Sequence, residues 1–180
     1  TMSLYESGES NGSISLIDLK NNIFKTSFSD KNINDYAFYI CIGEWPLSLN
    51  QDRDIALGLT PGGLFRDITT FGLLFESLVI RDLRIYCDSI RARVYKYRDS
   101  KKREADAVIV FNDGSWALVE VKLGGEEDIK EACDNLIKIA KDIDVEKTGK
   151  PAFLMVVTKN KFAYKTENGV YVVPLACLKN

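Results

Sequence analysis

The stretch that most constrains this chain is Arg103-Glu-Ala-Asp-Ala-Val-Ile-Val-Phe-Asn-Asp-Gly-Ser-Trp-Ala-Leu-Val-Glu-Val-Lys122. Two apolar runs, Ala107 to Phe111 and Trp116 to Val121, flank the turn signal Asn112-Asp113-Gly114, so the stretch reads as a β-hairpin. Glu104 and Asp106 stand where the first strand begins; Glu120 and Lys122 stand where the second ends. Hairpin pairing makes those two places neighbours. Three carboxylates and one amine converge at one end of a sheet, a cluster suited to a divalent cation and an activated water.

Alternation sharpens this. Trp116, Leu118, Glu120 and Lys122 share one face of their strand, and Val119, Val121 and Leu123 share the other. A face that starts with Trp and Leu and turns charged only at its end marks the rim of a covered surface. Register decides whether Asp106 joins Glu120. A two-residue loop at Asp113-Gly114 sets Asp106 opposite Val121, on the wrong face. A three-residue loop, Asn112-Asp113-Gly114 with Gly in the left-handed region, sets it opposite Glu120, and a β-bulge has the same effect. On residue types alone, the competing reading is a cross-strand ion cluster of little energetic weight.

The rest of the chain supplies elements around the hairpin. Ser29-Asp30 precedes a helical pattern of Ile33, Tyr36, Ala37 and Ile40, which Gly43-Glu44-Trp45-Pro46 ends. Asn50 to Ile55 reads as a polar loop, and Thr60-Pro-Gly-Gly63 as a border. Residues 1–60 are expected to be a linker and small helical segment, and 61–180 the main domain. Asp67 or Thr70 caps a helix over about 71–87 with apolar positions Phe71, Leu74, Phe75, Leu78 and Val79. Glu76 lies at the edge of that stripe. Arg93 to Tyr97 alternates as a strand. After the hairpin, Gly124-Gly125 precedes a helix over 126–143. Ala152 to Thr158 is apolar on both faces, as a central strand is. Phe162 to Lys165 and Val170 to Val173 form a last pair. The expected fold is α/β to α+β: a central mixed sheet flanked by helices in the order α-β-β-β-α-β.

Composition bounds the function classes. Hydrophobic residues make up 46%, which excludes a disordered chain. The chain contains no histidine, so Ser-His-Asp and Cys-His catalysis and His-based zinc sites are excluded within it. The four cysteines (41, 87, 133, 177) are far apart and read as reduced core residues of a cytoplasmic protein. No apolar run approaches a membrane span. The formal net charge of −2 is uninformative, but its distribution is not. From Arg81 to Arg103 nine Lys or Arg face three Asp, an excess that reads either as a solvated face or as a phosphate-binding surface through Arg81, Arg84, Arg91, Arg93, Lys101, Lys102 and Arg103.

The order of a helical acid, an Asp, a hairpin, Glu-x-Lys and a helix resembles the PD-(D/E)xK fold of restriction endonucleases and Holliday-junction resolvases. That resemblance implies Asp106 and Glu120 as ligands of Mg²⁺ (or Mn²⁺), with Glu104 beside them, Lys122 as the water-orienting residue and Glu76 as the assisting acid. Ala105 stands where the motif has proline. Longer strings, among them Phe71-Gly-Leu-Leu-Phe-Glu-Ser-Leu-Val79, Glu104-Ala-Asp106, Glu120-Val-Lys122 and Gly169-Val-Tyr-Val-Val-Pro174, resemble the C-terminal domain of a widespread prokaryotic family with an N-terminal AAA-type ATPase. This second resemblance implies an upstream ATPase domain as a partner, and the opening Thr-Met-Ser-Leu reads as a piece of a longer chain. No P-loop occurs here, so ATP binding is not expected of this segment. Three functions stay open: a Mg²⁺-dependent DNA nuclease, an inactive nuclease-fold module binding DNA or a protein partner, and a structural or oligomerisation domain.

Overall fold

A computed structural model describes residues 2–42 and 60–180. The expected helix end at Gly43–Pro46 and the polar loop at Asn50–Ile55 lie outside the described residues. The chain begins with β1 (Ile14–Ser15), α1 (Leu16–Lys20), β2 (Ser27–Phe28) and α2 (Ile33–Ile42). After the border come α3 (Pro61–Arg66), α4 (Ile68–Ser89), β3 (Arg93–Arg98), β4 (Glu104–Val110) and β5 (Trp116–Lys122). It ends with α5 (Glu126–Asp142), α6 (Val145–Thr148), β6 (Phe153–Thr158), β7 (Phe162–Lys165), β8 (Tyr171–Pro174), a 3₁₀ turn (Leu175–Cys177) and β9 (Leu178–Lys179).

Seven strands form one mixed sheet in the order β2-β7-β8-β6-β5-β4-β3. The β3-β4-β5 meander is antiparallel, β5-β6 and β6-β8 are parallel, and β7 and β2 complete the other side antiparallel. The 17-residue α5 and the short α6 make the crossover between parallel β5 and β6. The expected mixed sheet with flanking helices is therefore the architecture of this protein. β6 sits in the middle of it, and five of its six residues are buried, as its unbroken apolar run requires.

Alternation along the strands divides the interior in two. Ala107, Ile109, Ala117, Val119 and Val121 face α4, whose Phe71, Phe75, Leu78, Val79 and Leu83 form the larger core with α2 and the N-terminal segment. Trp116, Leu118, Val156 and Val172 face the opposite way and pack on Ile129, Ala132, Cys133, Leu136 and Ile139 of α5. All four cysteines are buried. Asp67 caps α4, its carboxylate accepting from the Thr70 N–H (3.0 Å) and the Thr70 hydroxyl (2.6 Å).

The expected border near Thr60 does not divide the core. Leu4, Leu16 and Leu19 are fully buried in the α4-side cluster, β1 pairs in parallel with β9, and β2 extends the main sheet. Residues 2–22 therefore do more than link. Their contacts reach across most of the chain, and local sequence patterns do not carry such pairings. The fully buried Asp82 of α4 ties this segment down. It accepts from the Leu4 N–H (2.8 Å), from Arg81 Nη2 (2.7 Å) and Nε (3.0 Å), and from the Tyr86 hydroxyl (3.3 Å).

Candidate functional site

The hairpin turn adopts the three-residue alternative. Pairing runs Val110 to Trp116, Ile109 to Ala117, Val108 to Leu118 and Ala107 to Val119. The Phe111 N–H donates to the Ser115 carbonyl (2.8 Å), the Gly114 N–H donates to the Phe111 carbonyl (3.0 Å), and Gly114 has φ +82°. The next pair in this register is Asp106 with Glu120. Here the strands part. On the other side of β4, Tyr95 pairs with Val108 but Tyr97 pairs with Ala105, so β4 carries one extra residue and bulges at this point.

The bulge changes where the two carboxylates point. Ala105 belongs to the α5-side cluster although Ala107 and Ile109 belong to the α4 side. Asp106 lines a cavity of about 300 Å³ between α4 and β3, with Glu76, Arg84, Val94 and Lys96. Its Oδ2 accepts from the Val121 N–H at 2.7 Å, so the carboxylate reaches into the seam between β4 and β5. Glu120 and Lys122 stay on the α5 face, where Trp116 and Leu118 point. They line a separate cavity of about 430 Å³ under Glu131, Asn135 and Lys138. Asp106 and Glu120 thus do not share one face, as plain alternation predicts. Asp106 stands in the seam, with Glu76 toward one face and Glu120 toward the other.

The electrostatics couple the three acids. Burial pushes the Glu120 carboxyl up to about 7, and the charge of Asp106 adds to this while Lys122 opposes it. Glu120 is 8% exposed. Its Oε1 lies 3.3 Å from Lys122 Nζ, and the Asn135 side-chain amide also favours its charged form, but its buried Oε2 meets no donor at full hydrogen-bond geometry among the described residues. Burial also raises Asp106, against the Val121 N–H, Lys122 and Lys96. Glu76 is raised by burial and then by Asp106, with Lys96 and Lys122 opposing. Glu104 is held otherwise. Its carboxylate meets Arg98 Nε at 3.2 Å and Lys96 Nζ at 3.8 Å, and its carbonyl accepts from Asn135 Nδ2 at 2.9 Å.

Among the described residues, no group of three or more His, Cys, Asp or Glu is close enough to hold a metal. Two carboxylates that feel each other's charge, Asp106 and Glu120, are the oxygen donors at this seam, although they line separate cavities. Mg²⁺ tolerates that, because it keeps most of its waters and takes one or two protein carboxylates. The orphaned Glu120 Oε2 is the specific observation that favours the fit: a buried anionic oxygen without a donor calls for a cation or a water.

The basic block divides in the same way. Arg81 pairs with Asp82 (2.7 Å), Arg103 with Asp99 (2.6 Å) and Asp142 (2.8 Å), and Lys101 with Asp142 (2.7 Å). Arg84 and Arg93 instead line cavities along α4 and β3, while Arg91 and Lys102 occupy left-handed positions beside that edge, with φ +57° and +62°. Sequence reasoning missed Lys96 and Asn135 as neighbours of the acids. The signals were present: Lys96 alternates with Val94 on β3, and Asn135 lies one helical turn beyond Glu131 on the polar stripe of α5.

A mixed α/β domain with a carboxylate-lysine cluster where two central strands part is the class that fold and site define. Residues 71–178, more than half of the chain, match the family described as "Domain of unknown function (DUF4143)", and the chain belongs to that family. Searches of curated proteins and of solved structures find no match.

Proposed function

We propose that this chain is a nuclease-like domain that hydrolyses phosphodiester bonds of DNA with the help of Mg²⁺ or Mn²⁺, in the manner of the PD-(D/E)xK fold, and that it works beside an upstream AAA-type ATPase domain. The observation that supports this best is the Glu120–Lys122 pair, with its unpartnered buried oxygen, next to Asp106 in the seam. Asp106 and Glu120 would hold the ion, whose contribution when bound is Lewis-acid activation of a water and relief of negative charge on the phosphate.

The chain's own residues have separable tasks. The Val121 N–H fixes the Asp106 carboxylate through one oxygen and leaves the other to a ligand. The Lys122 ammonium steadies Glu120 and presents N–H donors to a water or a phosphate oxygen at the same place. Glu76, raised by burial and by Asp106, is suited to take or give a proton on the α4 side. The alternative is a nuclease fold that binds without cutting, and it is favoured by the absence of a three-acid group among the described residues.

Plasmid nicking in Mg²⁺ or Mn²⁺ decides between them. Wild-type nicking is expected to fall by about 100-fold or more in Lys122→Ala and in Asp106→Ala. Equal activity in the variants would trace the cleavage to a contaminant and leave the binding module. A second readout needs no turnover. Mn²⁺ is expected to raise the unfolding midpoint of the wild type and not that of Glu120→Gln.

A further inference from the structure

One face of the sheet is open at its β3 edge. Arg93, Tyr95 and Tyr97 alternate along edge strand β3 and therefore share a face. Tyr95 pairs with Val108 and Arg93 with Val110, both of which belong with Trp116 and Leu118 on the α5 side of the sheet. That face is covered by α5 over β5 and left open over β3 and β4. Tyr95 is 51% exposed, and Tyr97, Val108 and Val110 are only half-buried although β4 is an interior strand. A cavity of about 420 Å³ opens beside Tyr97, walled by Val108, Val110, Trp116, Ile143 and Lys147, and Tyr95 and Arg93 lie outside it toward the free edge of β3, where they also border the cavities on the α4 side.

Its chemistry is flat, apolar and aromatic, with cations at the margin. Trp116, 7% exposed, forms the floor of the cavity, its indole N–H donating to the Thr148 carbonyl at 2.8 Å, and the accessible rings are those of Tyr95 and Tyr97. Arg93 and Lys147 are exposed, and Lys147 lies 3.3 Å from Asp144 at a fully solvated rim. The segment around β3 carries the local excess of positive charge. Aromatic rings on an open sheet face, edged by cations, are the surface on which unpaired bases stack while the backbone phosphates meet the cations. Bases inside a duplex present only their edges and cannot lie on such a platform.

We propose that the Tyr95–Tyr97 face of β3 and β4 binds single-stranded nucleic acid by base stacking. This deepens the nuclease reading by naming its substrate class as an unpaired strand. It also rests on that reading, since Glu120 and Lys122 lie further along the same face of β5.

The test is fluorescence anisotropy with a labelled oligothymidylate and with a duplex of the same length, in EDTA so that no cleavage intervenes. The wild type is expected to bind the single strand at least tenfold more tightly than the duplex. Tyr95→Ala is expected to lose about tenfold or more for the single strand, the range that one stacked base contributes, whereas Tyr95→Phe keeps binding within about twofold. Equal or tighter duplex binding overturns the proposal, as does unchanged affinity in Tyr95→Ala. Absence of any nucleic-acid binding, with concentration-dependent dimers by sedimentation, also overturns it and gives the face to a second copy of the chain. Loss of nicking in Lys122→Ala together with unchanged binding in Tyr95→Ala would sink the platform and leave the nuclease.

Discussion

Asp82 and Glu120 are both carboxylates taken out of water, one on α4 and the other facing α5, and burial raises both above the usual range. Their surroundings differ. Asp82 has a backbone N–H, a guanidinium and a phenol pointed at its two oxygens, and no exposure at all. Glu120 has one ammonium at 3.3 Å, the Asn135 amide nearby, a second carboxylate close enough to repel it, and one oxygen that meets no donor at full hydrogen-bond geometry among the described residues. A buried charge that holds a fold together is saturated with donors, because every missing one costs stability. A buried charge left open costs stability without return to the fold, which is the observation that supports the proposed role of Glu120 in holding an ion.

That contrast breaks most easily at Asp82. Replacing it with Ala strands the Leu4 N–H and removes the acceptor of the Arg81 and Tyr86 side chains, and is expected to cost about 3–5 kcal/mol, read as a fall of roughly 10 °C in Tm. A much smaller loss would remove Asp82 as the anchor of the N-terminal segment.

Glu120 responds in the opposite sense. Its folded pKa of about 7 lies above the ordinary value of 4.5, so the native state binds more protons than the unfolded chain between those limits. The stability it lends is fully present below about pH 4.5 and is lost as pH rises through about 7; it amounts to at most about 3 kcal/mol. Asp106 and Glu76 are raised in the same direction and add to the slope. Urea unfolding at pH 5 and pH 8 is expected to show the wild type less stable at pH 8 and Glu120→Gln with a flatter profile. A steeper slope in the variant would contradict the repulsion assigned to Asp106.

The smallest effect belongs to the turn that brings these groups together. Gly114 sits at φ +82°, where a Cβ costs about 1–2 kcal/mol. Gly114→Ala is expected to lower stability by that amount in chemical unfolding, and Gly114→Asn by less, since Asn tolerates this region. Equal losses would mean that the turn conformation is not what the substitution disturbs.

Much of the fold was legible because local physics carries it. The stripe of Phe71, Phe75, Leu78 and Val79 is a helix face in any context, and the apolar run of β6 needs a central place in a sheet. Asn112-Asp113-Gly114 admits a three-residue loop because Gly114 can take a positive φ. The candidate site was legible in its members and not in its arrangement. The alternation of Trp116, Leu118, Glu120 and Lys122 held, since nothing interrupts β5. It failed at Asp106, because the extra residue of β4 is an accommodation between three strands that no single strand encodes.

The sequence by itself determined which residues can carry charge at the end of the hairpin, which helices flank it, and that no imidazole takes part. Only the tertiary structure decided that Asp106 enters the seam to meet the Val121 N–H, that Glu120 keeps an unpartnered oxygen, and that Leu4 is pinned by Asp82. The reason is range. Periodicity and turn chemistry act over a few residues, whereas desolvation, charge coupling and strand parting depend on what distant segments leave room for.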